Sequence, residues 1–227
     1  MAYASGDARP LFRGWIHAAV TWVLVPSGIG VVVGILLGAL PVRWWRMGLL
    51  LLAKFASYAA SATYHLHPTE SRAKELGLLK LDLIAISVAI WAPSSAFAMD
   101  VSEWLILFGT MIGVTLANWR MIEHQLGKQG GSPLPRSILL LVYFAFTVGI
   151  IGWHYGYRGL WFAGVFAYVA GFAVSPPVHH RLPPAPWHRV DRNGWHEDFH
   201  CMLALADAFF GTMATQFLHD PSMDARS

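Results

Sequence analysis

Apolar residues in this chain come in long blocks, and polar residues are confined to the gaps between them. Seven blocks stand near residues 15–40, 44–66, 77–98, 102–121, 137–154, 159–177 and 197–218. Each approaches the roughly 17–25 residues that a helix needs to cross a bilayer. The pattern predicts an all-α fold, a bundle of seven transmembrane helices, with residues 1–227 forming a single integral-membrane domain. The connections are short. The longest, Ser175 to Gly194, is rich in Pro and His and has no apolar periodicity, so no separate soluble domain is expected. Met1 to Pro10 lack the apolar core and cleavage site of a signal peptide, and the first helix is expected to serve as its own insertion signal.

Composition sharpens this picture. The chain is 56% hydrophobic and only 13% charged, against about 25% charged for a soluble globular protein. Its 11 Trp suit a protein with two membrane interfaces. The net charge of +3 then belongs to the loops and does not point to nucleic acid. The one cysteine, Cys201, excludes an intrachain disulfide. Eleven Lys and Arg fall on one set of connections and helix ends, and only Arg43, Arg46, Arg158 and Arg226 fall on the other. That bias predicts a cytoplasmic N-terminus, a C-terminus outside, and residence in the plasma (inner) membrane. It also brings His65, Asp82, His196 and His200 to the cytoplasmic ends of the second, third and seventh helices.

His196 and His200 are four residues apart, so on a helix their imidazoles stack on one face. Two such side chains can share one metal ion. The remaining ligands are expected from His65 and either Asp82 or a water that Asp82 holds. Ser61 shares the helical face of His65, and Asp82 sits at the threshold of the third span, where an unpaired charge is costly. Three His suit zinc, with a water completing the tetrahedron. Zinc can lower the pKa of that water to about 7. Asp82 is then the candidate proton acceptor, and Ser61 the group that orients water or steadies an oxyanion. His17, near the start of the first helix, is a candidate supporting residue beside the site. Asn118, Arg120, Glu123 and His124 read as a solvated helix end, and His179, His180 and His188 as loop residues open to adventitious metal. Gly28, Gly30, Gly34 and Gly38 suit close helix packing.

Lys54 and Asp207 are unusual because both lie within spans. Lys54 is eleven residues from His65, and Asp207 is eleven from His196. At about 1.5 Å per residue each lies roughly 16 Å from the histidine end. Lys54, Tyr58, Ser61 and His65 fall along one stripe, and His196, His200, Leu203 and Asp207 along another. An intramembrane Lys54–Asp207 ion pair is expected, since either charge alone is expensive at that depth.

Ser61-x-x-x-His65, Asp82 near the start of the third helix and His196-x-x-x-His200 opening the seventh resemble the hemolysin III family. So does the opening Leu11-Phe12-Arg13-Gly14-Trp15-Ile16-His17. That family belongs with the progestin and adipoQ receptors and more distantly with the alkaline ceramidases. The resemblance covers nearly the whole chain. It implies seven helices with a cytoplasmic N-terminus and a zinc held by His65, His196 and His200. It further implies that Asp82 holds the zinc-bound water and that Ser61 belongs to the same site. Two stretches depart from the bacterial pattern: Leu81-Asp82-Leu83 replaces Leu-Asp-His, and Ala92-Pro93-Ser94-Ser95 stands in the later region where Gly-Thr-Tyr-Thr-Pro is usual. Contacts to substrate are therefore expected to differ.

Three function classes follow. The first is a zinc-dependent hydrolase of lipid amides, acting on a ceramide-like or fatty-acyl amide of the membrane. The second is a receptor or membrane-permeabilising protein whose zinc is structural. The third is a transporter or pore with Lys54 and Asp207 on its pathway.

Overall fold

The structure is a computed structural model that describes residues 12, 14–68, 71–126, 132–174, 185–186, 188 and 194–220. Leu11, Arg13, His179 and His180 lie outside the described residues, as do most of the Ser175–Gly194 connection and seven of the sixteen cations. Among the described residues the chain is all-helical, without strands. The helices are α1 (Trp15–Leu36), α2 (Trp45–Leu66), α3 (Arg72–Ser95), α4 (Val101–Leu126), α5 (Leu134–Tyr155), α6 (Gly159–Ala173) and α7 (Trp195–His219), with a short 3-10 turn at Val42–Trp44 before α2.

The boundaries depart from the apolar blocks for local reasons. α1 stops at Leu36, not residue 40, in a turn where the N–H groups of Ala39 and Leu40 return to the Gly34 carbonyl. α3 begins five residues before its apolar block, since Ser71 caps it by accepting from the Lys74 N–H and the helix runs through Arg72–Leu76. α4 continues past residue 121 to Leu126, because good helix formers extend it beyond the apolar run. α5 and α6 are separate helices, broken at Gly156, and α6 ends at Ala173 rather than residue 177.

Five helices, α1, α3, α4, α5 and α7, are long and apolar enough to cross a membrane, consistent with a multi-pass membrane protein. α6 has 15 residues and is apolar but short. α2 has 22 residues, and Lys54, Ser57, Ser61 and His65 on its buried face lower its hydropathy. The outer surface of the bundle carries large apolar side chains, among them Trp22, Leu36, Trp153 and Phe166, each more than 70% exposed. For a soluble domain so much exposed apolar surface marks an interface; here it covers the face that lipid would contact.

α3 is the hub, packed against α2, α4 and α5. α1 lies on α2, and α6 and α7 form a close pair. Apolar packing concentrates toward one end of the bundle. Met47 and Leu50 of α2 meet Phe210, Met213, Ala214 and Phe217 of α7 and Ile151 of α5 there. A second cluster joins Ala53, Trp91, Ala92, Leu107 and Tyr143 across α2 to α5. The opposite end, where α2 finishes and α7 begins, is polar.

The glycines of α1 do not form the packing face expected of them. Gly28 and Gly30 face open space, and Gly34 meets only Leu40 of its own following turn. α1 turns an apolar surface outward on nearly every side, so helix contact does not demand small residues there. Close approach is instead required on α6. A methyl carbon at Gly164 would stand 2.9 Å from the ring of Phe210, and one at Gly171 would stand 3.1 Å from Met202. Because Phe210 is fully buried, Gly164→Val is expected to destabilise the bundle by about 1–3 kcal/mol through overpacking. Thermal unfolding in detergent measures it, with Gly30→Val as the neutral comparison.

Candidate metal centre

The end of α2 and the start of α7 meet at the polar end of the bundle, and local chemistry decides how each presents its histidines. α7 starts at Trp195 because the Gly194 N–H donates to Glu197 Oε2 at 2.7 Å, while Glu197 and Asp198 in the first turn favour the helix dipole. His196 and His200 therefore occupy successive turns of one face. On α2, a buried stripe at Lys54, Ser57, Tyr58, Ser61 and His65 brings His65 into the same space in the last turn. Gly14 lets α1 begin directly against it. Its φ of +88° is one that glycine alone adopts at little cost, and a methyl carbon there would stand 2.7 Å from His65 Cβ.

One ring nitrogen each from His65, His196 and His200 lie within 4.8 Å of one another. His200 Nε2 and His196 Nε2 are 2.8 Å apart, and the ring centroids of His65 stand 5.1 Å from His196 and 5.8 Å from His200. Nitrogens bound to one zinc at about 2.0–2.1 Å in a tetrahedron are closer than this outer limit, so small rotations of the rings bring all three into reach. Three imidazoles on two helices, two of them buried, are a donor set that fits zinc. The site class is thus a candidate three-histidine metal centre in an all-helical bundle.

Asp82 stands one step back, with Oδ2 4.0 Å from His65 Nε2. That distance is too long for a direct hydrogen bond and suits one bridging water. Ser61, buried on α2, lies beside the same carboxyl. His17 is buried, stacks on His65 at 6.4 Å and packs edge-on to His200 at 4.0 Å between centroids. Neither of its ring nitrogens has a hydrogen-bond partner among the described residues. Its place is beside the trio, not in it. All eight sequence-selected site residues thus line one polar seam, which runs from the facing ends of α1, α2 and α7 to the middle of the bundle; Asp82 joins it as the eleventh residue of α3 and not at the start of that helix.

The far end of that seam is the Lys54–Asp207 pair. Lys54 is 2% exposed, and its Nζ lies 2.6 Å from Asp207 Oδ1. The ammonium also donates to the Ala89 carbonyl at 2.7 Å and to Tyr168 Oη at 3.0 Å, so all three of its protons are engaged. Asp207 accepts from Tyr58 Oη at 2.7 Å through Oδ2 and from the Tyr168 hydroxyl through Oδ1. Tyr58 in turn packs on the His17 ring at 5.2 Å, which links the pair to the histidine cluster.

Sequence reasoning missed two residues here. Tyr168 of α6 completes the ion pair, and nothing in its apolar surroundings marks it. Arg136, counted only as a loop cation, is buried in the first turn of α5, and its charge acts on Asp82. Its Nε and Nη1 have no hydrogen-bond partner among the described residues. A signal existed: Arg136, Leu140, Tyr143 and Thr147 share one helical stripe, which is the buried face of α5.

Two readings are corrected. Asn118 is fully buried rather than solvated, and its amide donates to the Leu83 carbonyl and to Ser87 Oγ, tying α4 to α3. Arg120, Glu123 and His124 are exposed. His188 is bound locally, with Nε2 2.8 Å from Asp198 Oδ2 and Nδ1 accepting from the Ala185 N–H. It thereby holds the connection against the first turn of α7 and is not an open ligand.

No protein-family model and no curated protein matches this chain.

A fully hydrogen-bonded buried pair costs most when only one partner is removed, because the other charge stays buried. Asp207→Ala is expected to lower stability by about 3–5 kcal/mol. The double variant Lys54→Met with Asp207→Leu should recover most of that loss. A double-mutant cycle from detergent unfolding curves measures both.

Proposed function

We propose that this chain is a zinc-binding, seven-span membrane protein of hemolysin III type that hydrolyses an amide bond in a membrane lipid. The observation that carries the reading is the convergence of His65, His196 and His200 from α2 and α7, with Asp82 4.0 Å from His65. α2 and α6 complete the seven spans: α2 packs against α1 and α3, and α6 packs one face against α7. The distribution of Lys and Arg supports placing the histidine end at the cytoplasmic face of the inner membrane.

His65, His196 and His200 would hold the ion, which supplies Lewis acidity when bound. The remaining groups divide the work among themselves. Asp82 takes the proton of an attacking water and returns it to the leaving amine. Ser61 donates a hydrogen bond to the carbonyl oxygen as that oxygen gains charge. Arg136, whose Nε and Nη1 have no hydrogen-bond partner among the described residues, holds an oxygen-rich group such as the carboxylate that amide cleavage releases. The apolar outer face of the bundle suits the acyl chain.

The same geometry weighs against a pore. From Asp207 toward the opposite end, the seam runs into Met47, Leu50, Phe210, Met213 and Phe217, a packed apolar layer. An ion would have to cross that layer without polar partners.

Elemental analysis of the purified chain is expected to find about one zinc per molecule, lost in His196→Ala. With zinc retained, Asp82→Asn should lower hydrolysis of N-acyl lipids about 10²–10⁴-fold. Wild-type protein without zinc, or zinc-loaded protein that cleaves no N-acyl lipid, would refute the hydrolase.

A further inference from the structure

α2 and α7 run antiparallel and each packs mainly on other helices, α2 on α1 and α3 and α7 on α6. Beside the apolar contacts of Met47 and Leu50 with α7, what crosses between them is polar and regularly spaced. Arg43, in the turn before α2, donates through Nε to the Leu218 carbonyl at 2.8 Å. Lys54 meets Asp207 at 2.6 Å. His65 faces His196 with ring centroids 5.1 Å apart. The first members stand at 43, 54 and 65 and the second at 218, 207 and 196, so both series step by eleven residues in opposite directions. Eleven residues are three helical turns to within about 20°, which keeps Lys54 and His65 on one side of α2 and Asp207 and His196 on one side of α7, while Arg43 reaches across from the turn before α2.

The three rungs differ in what they tolerate. Arg43 bonds a backbone carbonyl, and a long guanidinium arm can follow a small displacement. The histidine rung is demanding, because productive metal geometry requires ligands placed within about 0.5 Å. A slip of one residue between α2 and α7 would move the ligands by about 1.5 Å and turn them by about 100°. The apolar stretch between the outer rungs is held by non-directional contacts, which discriminate between registers less sharply than paired charges do. The middle rung resists a slip. Lys54 and Asp207 are each saturated by partners from α2, α3, α6 and α7, and any other register leaves a buried charge unpaired. Fixing register is the best-attested use of a buried polar group.

We propose that Lys54 and Asp207 are positioning residues for the histidine centre, setting the register of α2 against α7 so that His65 meets His196 and His200. The proposal rests on the reading of those three histidines as a metal site. Tyr58 belongs to the same device, since it bonds Asp207 and carries the contact to His17.

The test uses the full chain, purified in detergent, stripped by chelator and titrated with Zn²⁺ against a chromophoric competitor. The visible spectrum of the Co²⁺-loaded protein reports ligand geometry separately. Asp207→Asn is expected to weaken zinc binding about tenfold or more, the scale found when groups supporting metal ligands are removed, and to alter the Co²⁺ bands. Asp207→Glu, which keeps the charge, should restore both. Met213→Ala creates a cavity in the apolar stretch and should leave zinc affinity and the Co²⁺ bands as in wild type, which separates positioning from stability. Should Asp207→Asn fail to fold, Tyr58→Phe decides: weakened binding supports the proposal, and unchanged binding overturns it. Wild-type affinity and spectrum in Asp207→Asn, or an equal loss in Met213→Ala, would likewise overturn it. A wild-type chain that binds no zinc at all would instead remove the metal centre itself, which elemental analysis reports independently.

Discussion

An ammonium group buried among apolar helices persists only where each of its protons has a partner. Lys54 meets that condition through the Ala89 carbonyl, the Tyr168 hydroxyl and the Asp207 carboxylate, which come from three different helices. Asp207 draws its own remaining partners from α2 and α6. One interaction therefore ties α2, α3, α6 and α7 together at mid-height. Neither charge could stay buried alone at this depth without a large penalty. The rest of the bundle is arranged to keep the pair dry and complete.

From that level the two ends diverge. Toward the start of α2, side chains are large and apolar and fill the space between α2, α5 and α7. Arg43 closes that end by bonding the last carbonyls of α7, where helical backbone acceptors have no partner of their own. Toward the start of α7 the facing sides of α2 and α7 carry Tyr58, Ser61 and the three histidines, and α1 adds His17. The bundle thus has a packed apolar end and a polar end rich in ligand atoms.

Position, rather than residue type, separates the histidine end from an ordinary polar helix terminus. Gly14 lets α1 descend against His65, and Glu197 sets where α7 begins. Arg136 enters from α5 with Nε and Nη1 unpartnered among the described residues, and Asp82 comes from α3 with its carboxyl 4.0 Å from the His65 imidazole. Five helices, α1, α2, α3, α5 and α7, contribute to one candidate centre.

Much of this was legible in the linear chain. Apolar blocks dictate apolar helices, since a backbone in lipid must satisfy its own hydrogen bonds. The four-residue spacing of His196 and His200, and the depth of Lys54 and Asp207, follow from helical geometry alone. Other features had no local signature. Arg136 looks like any loop cation until α5 turns it inward, and Asn118 looks solvated until α3 offers it Leu83 and Ser87. Tyr168 is one aromatic among many until α6 meets Asp207. The glycines of α1 look like a packing stripe, yet the close approach falls on α6, where Phe210 needs the room. Sequence by itself determined which segments are helices and which side chains share a face, because both depend on neighbours a few residues apart. Only the tertiary structure decided which faces meet, because that choice is made by partners on other helices satisfying buried charge and filling space.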